Sequence, residues 1–289
     1  MKIAISGSTG FIGKQLSEFL LHSGNEFIVI TRNDFAGGSN QLAKVIKSAD
    51  VIINLAGASV LRRWNEKNKK LILSSRIDTT RLLVKAVQIN QSENRLRVFI
   101  NTSAIGIYEI NKSHDEFSTV LGTDFLAFVC KAWEEATADL RELDLRLCTI
   151  RIGIVLGTTG GSLRKMLPLF KAGLGGKIAS GKHPFSFIHI SDFCNAIWHL
   201  IINGESTGIY NLVCPEPTTN KLFTEVLANY LHRPAIFTVP EFALKLIYGE
   251  AAGMLTTGAK VISARLPNEG FQFKFSDINS AIADLVKYE

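Results

Sequence analysis

The chain has 289 residues, 46% of them hydrophobic and 20% charged, with a formal net charge of +6. That apolar content supports a large core, as one big domain or two linked ones, and no apolar run approaches the roughly 20 residues of a membrane span. The N-terminus lacks a signal-peptide layout, and the scattered Cys130, Cys148, Cys194 and Cys214 have neither Cys-x-x-Cys nor paired-histidine spacing, which predicts reduced, buried thiols in a cytoplasmic protein with no metal site.

The first predicted element is a strand, Ile3-Ala4-Ile5, which runs straight into Gly7-Ser8-Thr9-Gly10-Phe11-Ile12-Gly13. In this pattern Gly7 permits a tight turn off the strand, Gly10 lets the backbone approach a pyrophosphate, and Gly13 lets the next helix pack close to the sheet. The free N–H groups of the helix start then face the phosphates, helped by about half a positive charge from the helix dipole. Residues 14–21 have helical spacing, with Phe11, Ile12, Leu16, Phe19 and Leu20 near one face and Gly24 as the stop. Phe27-Ile28-Val29-Ile30 reads as a second, buried strand and completes a βαβ unit.

The residues after that strand distinguish the two nicotinamide dinucleotides. NAD-binding folds usually place Asp or Glu there, to accept hydrogen bonds from the ribose 2′-hydroxyl. Here the strand ends Ile30-Thr31-Arg32, and Arg32 offers a charge-assisted contact to a 2′-phosphate, with the Thr31 hydroxyl beside it. The expected cofactor is therefore NADP(H), although Asp34 lies close enough to compete as the acid. Only seventeen residues separate Arg32 from Asp50, which hardly leaves room for a regular third strand in that interval.

Further along, residues 50–55 read as a buried strand ending at Ala56-Gly57, residues 65–90 as a long helix, and residues 97–103 as a strand. Residues 123–143 read as helical, and Leu147 to Leu156 as one strand closing at Gly157. The basic stretch Arg62–Lys70 lacks the aromatic interleaving of a nucleic-acid surface and reads as a solvated helix start beside a pocket for an anionic ligand. After Gly157 the texture becomes glycine-rich, with a helix over Leu163–Ala172. Strand 187–190, helix 191–202 and strand 208–213 follow. The last part is expected to hold helices near 219–231, 241–248 and 276–288 and strands near 235–239 and 271–275. Such alternation predicts a doubly wound parallel α/β sheet of the Rossmann kind, with ligands at the carboxyl ends of its strands. Residues 1–157 with about 187–214 would form the dinucleotide-binding domain, and about 158–186 with 215–289 a smaller substrate domain.

The Gly-x-x-Gly-x-x-Gly spacing resembles the extended short-chain dehydrogenase/reductases. Further matches in order sharpen this: Ile-Asn-Leu-Ala-Gly at 53–57, Arg63-Trp64, Ser75-Arg76-Ile77-Asp78-Thr79-Thr80, Trp133-Glu134, Arg151 to Gly157, Ile188-His189-Ile190-Ser191-Asp192 and Gly270-Phe271-Gln272-Phe273. With them the chain resembles the epimerase-family, atypical members of that superfamily. The resemblance implies an oxidoreductase or epimerase-like enzyme on a small substrate, with nucleotide sugars among the candidates. It implies cofactor contacts at Gly7 to Gly13, Thr31, Arg32, Leu55, Ala56, Gly57, Arg76 and Val155. A small-molecule substrate is the expected partner; nucleic acid and membrane are not, and a homodimer stays open.

Active members of the superfamily use Ser, Tyr and Lys, the Lys lowering the Tyr pKa. The literal Tyr108-x-x-x-Lys112 falls in an expected loop, whereas the functional pair belongs on the helix after it. Aligning Glu134 with the superfamily's glutamate puts Leu126 and Cys130 at the Tyr and Lys positions. Ser103 lies near the serine position, as either a substrate contact or a strand-end hydroxyl bonded to backbone. Tyr108, Cys130 and His189 stay as candidate proton donors, His189 being expected as a structural residue before a helix capped by Ser191 or Asp192. The loss of the Tyr–Lys pair raises a second reading, a non-catalytic NADPH-binding sensor or scaffold.

Overall fold

The computed structural model describes residues 1–93 and 95–287. The chain begins β1 (Lys2–Ser6), α1 (Phe11–His22), β2 (Glu26–Ile30), α2 (Arg32–Ala36), α3 (Gly38–Ile46), β3 (Val51–Asn54), α4 (Glu66–Ile89) and β4 (Val98–Ala104). It continues through β5 (Ser113–His114), α5 (Phe125–Glu135), β6 (Arg146–Ile152), β7 (Ile154–Leu156), α6 (Gly161–Lys171), β8 (Gly176–Ile178), β9 (Phe187–His189), α7 (Ile190–Ile202) and β10 (Gly208–Leu212). The last part holds α8 (Asn220–Tyr230), β11 (Phe237–Val239), α9 (Glu241–Tyr248), α10 (Gly253–Thr256), β12 (Lys260–Val261), α11 (Arg265–Asn268) and α12 (Ile278–Val286).

Six strands form one parallel sheet in the order β2-β1-β3-β4-β6-β10. Its strands are apolar at successive positions because both faces are covered, as parallel sheets require. Ile3, Ile5, Val51, Ile53, Val98 and Ile100 pack on one face with Leu16 and Leu20 of α1 and Ile197 and Leu200 of α7. Ala4, Ile52 and Phe99, one residue out of step, pack on the other with Leu42 and Ile46 of α3 and Leu83 and Val87 of α4. A separate core joins Leu163, Leu167 and Phe170 of α6 to Phe223 and Leu227 of α8 and Ile278 and Ile282 of α12. Leu266 and Phe271, late in the chain, belong to the sheet's own core. Among the described residues no helix is long and apolar enough to cross a membrane.

The interval between β2 and β3 is filled by α2 and α3, so β2 is the edge of the sheet and β3 returns to the far side of β1. That reversal makes the gap between the carboxyl ends of β1 and β3 a topological switch point, where this kind of sheet binds ligands.

Three expected elements differ. The strand 147–156 is two strands broken at Gly153, where a Cβ would lie 2.6 Å from the Ser186 carbonyl oxygen; β7 leaves the main sheet there and pairs with β9. Residues 271–275 form no strand, because the Asp192 carboxylate takes the N–H groups of Lys274 and Phe275, both at 2.9 Å. Helix 123–143 stops as an α-helix at Glu135, and a 3₁₀ turn over Ala138–Glu142 follows. Short β5, β8 and β12 were not legible in the pattern. The expected end of the last helix, residue 288, lies outside the described residues.

Candidate cofactor site

The turn from β1 into α1 is built on glycine for two different reasons. Gly7 has φ +74°, and a Cβ there would lie 2.7 Å from the Leu55 carbonyl oxygen, so the fold itself demands glycine. A Cβ on Gly13 would overlap the Gly7 carbonyl oxygen, which keeps α1 close to the turn. At Gly10 a Cβ would meet only the Gly7 carbonyl oxygen, at 3.4 Å. Packing therefore leaves room at Gly10, and that room faces the cleft. The α1 N-terminus has no side-chain cap, which leaves its first N–H groups for a ligand. Turn and helix start thus fit a dinucleotide diphosphate.

A cleft of about 1060 Å³ opens above this turn, walled on one side by Val29 to Arg32 and Phe35 and on the other by Leu55 to Ser59, Arg62, Leu71, Ser75 and Thr79. Of the residues singled out from sequence, Gly7, Ser8, Thr9, Gly10, Thr31, Arg32, Leu55, Ala56 and Gly57 line it. Phe11, Ile12, Gly13, Arg76 and Val155 are not part of that lining. Phe11 packs against Gly157, Gly160 and Gly161, where added Cβ atoms would crowd its ring, and Val155 is buried in β7. The lining carries two arginines, Arg32 and Arg62, and no carboxylate.

Asp34 is not part of the cleft lining, and one oxygen of its carboxylate is engaged by its own turn. Its carboxylate accepts from the Thr31 N–H at 2.7 Å and the Thr31 hydroxyl at 2.6 Å, while the Asp34 N–H donates back to Thr31 Oγ1. This capping box starts α2. The Thr31 hydroxyl bond holds the Asp34 carboxyl below the usual range. The Thr31 hydroxyl proton is therefore committed to Asp34 and is not a free donor to a phosphate, while Arg32 has no acidic partner among the described residues.

Arg76, on α4, donates to the Ala58 and Ile72 carbonyls at 3.0 and 3.2 Å and lies 5.0 Å over the Trp133 ring. It pairs with neither Asp78 nor Glu66. Burial lowers its pKa, and the nearby Arg62 adds to that. Its guanidinium lies beside Gly57, where a Cβ would be 3.0 Å from Cζ.

The candidate acid–base groups are not aimed at the cleft. Tyr108 sits after a 3₁₀ turn, not on a helix; its hydroxyl lies 2.8 Å from Asn211 Oδ1 and accepts from Arg151 at 2.9 Å. Lys112 pairs instead with Glu109 at 2.8 Å. Burial, then the Glu134 carboxylate, pushes the Cys130 thiol up to about 12. Ser103 donates to Glu134 Oε1 at 2.6 Å, not to backbone, and Arg151 grips both oxygens of that carboxylate at 2.8 Å. His189 itself caps α7, its Nδ1 accepting from Ser191 N–H at 3.0 Å; Ser191 and Asp192 do not.

Two polar arrays escaped sequence reasoning. One is the Ser103–Glu134–Arg151–Tyr108 chain. The other joins strand ends: Ser6 donates to Asn54 at 2.7 Å, and Asn54 donates to Asn101 at 2.9 Å and Thr80 at 2.8 Å, where Trp133 also donates. The only sequence signal for it is polar residues closing apolar strands. These bonds fix the carboxyl ends of β1, β3 and β4 relative to one another, and so fix the floor of the cleft.

Residues 3–212 match the NAD dependent epimerase/dehydratase family, and residues 239–285 match a domain of unknown function, DUF1731. The mouse epimerase family protein SDR39U1 is 35% identical over 295 residues, covering 99% of this chain and 100% of that one. The crystal structure of human epimerase family protein SDR39U1 (isoform 2) with NADPH superposes with a TM-score of 0.91 at 30% identity, covering 100% of both chains. A nucleoside-diphosphate sugar epimerase from Corynebacterium glutamicum gives a TM-score of 0.78 at 29% identity, covering 100% of this chain and 59% of that one. The Rossmann sheet, its glycine turn and this full-length similarity together place the chain in the NAD dependent epimerase/dehydratase family, alongside the SDR39U1 epimerase family proteins.

Proposed function

We propose that this chain is an NADP(H)-binding oxidoreductase or epimerase-like enzyme of the short-chain dehydrogenase/reductase type, acting on a small substrate. The observation that carries the cofactor choice is the cleft's acid-free lining, with Arg32 at the end of β2 and Asp34 tied to Thr31. The NADPH in the human relative's structure supports it. The Gly7–Gly13 turn and the α1 N-terminus would hold the diphosphate, and Arg32 the 2′-phosphate. When bound, the cofactor supplies a hydride donor or acceptor. Residues 158–186 and 215–289 would form the lobe that encloses the substrate. The Corynebacterium relative's name makes nucleotide sugars the first class to try.

Leu126 and Cys130 supply no acid or base near neutral pH, with the thiol at about 12. In the enzymatic reading, the proton that accompanies hydride transfer comes from water or from the substrate. The same observation favours a second reading, a protein that binds NADPH without turning it over. The two separate when purified protein is given a panel of carbonyl compounds with NADPH, as hydride donor, and of nucleotide sugars with NADP+, as hydride acceptor. Substrate-dependent loss of NADPH absorbance, or interconversion of a sugar epimer, is the expected result. Tight cofactor binding with no turnover of either kind across the panel rejects the enzyme and leaves the second reading.

A further inference from the structure

Phe35 stands in α2, outside the residues for which family resemblance implies a cofactor contact, yet it lines the cleft together with Arg32. The two are three positions apart on one helix, so they share a face, with Cβ atoms about 5–6 Å apart. In a helix every Cα–Cβ bond tilts toward the N-terminus. Both side chains therefore lean back toward Thr31 at the end of β2, where the cleft begins. The Phe35 ring is half-buried: one part packs against the core on the α3 side of the sheet, and the rest is open to the cleft.

The helix that carries the ring is ordered before any ligand arrives. The reciprocal bonds between Thr31 and Asp34 fix its first turn, and the core contact fixes the ring from behind. A surface ordered in advance lowers the ordering cost of binding. The cleft lining holds no carboxylate to accept from an exocyclic amino group, so a base seated here meets an aromatic face and not an acid. None of the lining comes from residues 158–186 or 215–289, the segments proposed to enclose the substrate. The base is therefore the cofactor's and not that of a nucleotide sugar.

We propose that the Phe35 ring is the surface on which the adenine of the dinucleotide stacks, so that one face of α2 holds both substituents of one ribose. Arg32 takes the 2′-phosphate and Phe35 takes the base. This rests on the NADP(H) reading above. The two substituents sit on adjacent ribose carbons, C2′ and C1′, which suits two side chains one helical turn apart on a common face. Every base presents a π-face, and an aromatic side chain can stack on it without reading its hydrogen-bonding edge.

The test measures dissociation constants for NADPH, NADH and adenosine 2′,5′-bisphosphate with the wild type, Phe35→Ala and Phe35→Leu. Leucine keeps an apolar side chain on the core if the alanine variant folds poorly, and it has no ring to stack. Loss of an aromatic stacking contact with a base corresponds to roughly five- to hundredfold in affinity. The expected result is a loss in that range in both variants, equal within about threefold for all three ligands, because all three carry adenine. A loss that spares NADH, which has no 2′-phosphate, would mean that Phe35 only orients Arg32, and overturns the proposal. A loss for both dinucleotides that spares the bisphosphate puts the ring against the other half of the cofactor and also overturns it, as does unchanged affinity in Phe35→Leu. Failure of the wild type to bind NADPH would instead reject the underlying cofactor reading, so the two failures are distinguishable.

Discussion

Two glycines of the same turn answer to different constraints. Gly7 is required by its φ of +74° and by the nearness of Leu55, whereas the space at Gly10 is open. Gly7→Ala should cost roughly 1–3 kcal/mol, the usual range for a strained backbone position. Gly10→Ala, at φ −74°, should shift stability by no more than about 1 kcal/mol. Yet Gly10→Ala should weaken NADPH binding at least about tenfold, because its methyl would project where the proposed function puts the diphosphate. Thermal unfolding and calorimetric titration of the two variants check this; wild-type NADPH affinity in Gly10→Ala would remove the diphosphate from that place. Sequence alone exposed the turn because a glycine requirement leaves a direct mark. It left Asp34 undecided, since only coordinates show that its carboxylate is taken by Thr31. The Glu134–Arg151 pair was equally hidden, being made by residues seventeen positions apart on separate elements.

Among the elements, α7 shows how a cap links local structure to pH. His189 accepts the Ser191 N–H through Nδ1, lies with its ring 3.9 Å from that of Phe275, and has Nε2 3.3 Å from Asp284 of α12. Burial, only partly offset by Asp284, brings the imidazole down from 6.5 to about 4. A neutral imidazole is thus favoured in the folded chain. Between about pH 6.5 and pH 4 the unfolded chain takes up a proton that the folded chain does not, so stability falls as the pH drops through that window. The contribution amounts to roughly 3 kcal/mol at its low-pH end. His189→Asn keeps a capping oxygen but cannot titrate, so the difference in unfolding free energy between it and the wild type should change with pH over this window and level off above it. A constant difference from pH 4 to 7 would contradict the assignment. The helix itself was legible from its apolar spacing. The cap was not, because histidine is an unusual cap and Ser191 and Asp192 are better ones by propensity. Asp192 was drawn off to hold residues 274 and 275, and that same contact abolished the expected strand there.

At the scale of the whole molecule, the strand order explains why so many cleft-lining residues were readable. Strands β1, β2 and β3 of the parallel sheet end at the cleft, so the sequence positions just after their apolar runs line it: Gly7–Gly10 after β1, Thr31-Arg32 after β2 and Leu55–Gly57 after β3. The basic stretch beginning at Arg62 was read as lying beside an anion pocket, and Arg62 does line the cleft. What remained unreadable was Ser75 and Thr79, which α4 contributes to the lining from across the chain. In the late part of the chain the strand expected near 235–239 is β11, whereas its three-residue partner β8, from the glycine-rich segment, left no mark in the pattern. The central claim is that this arrangement selects NADP(H) through a cationic, acid-free cleft. Calorimetric dissociation constants for NADPH and NADH, with wild type and Arg32→Ala side by side, test it most directly. The account predicts that the wild type favours NADPH by at least about tenfold and that Arg32→Ala erases most of that preference. Equal affinities in the wild type, or an undiminished preference in Arg32→Ala, would contradict it.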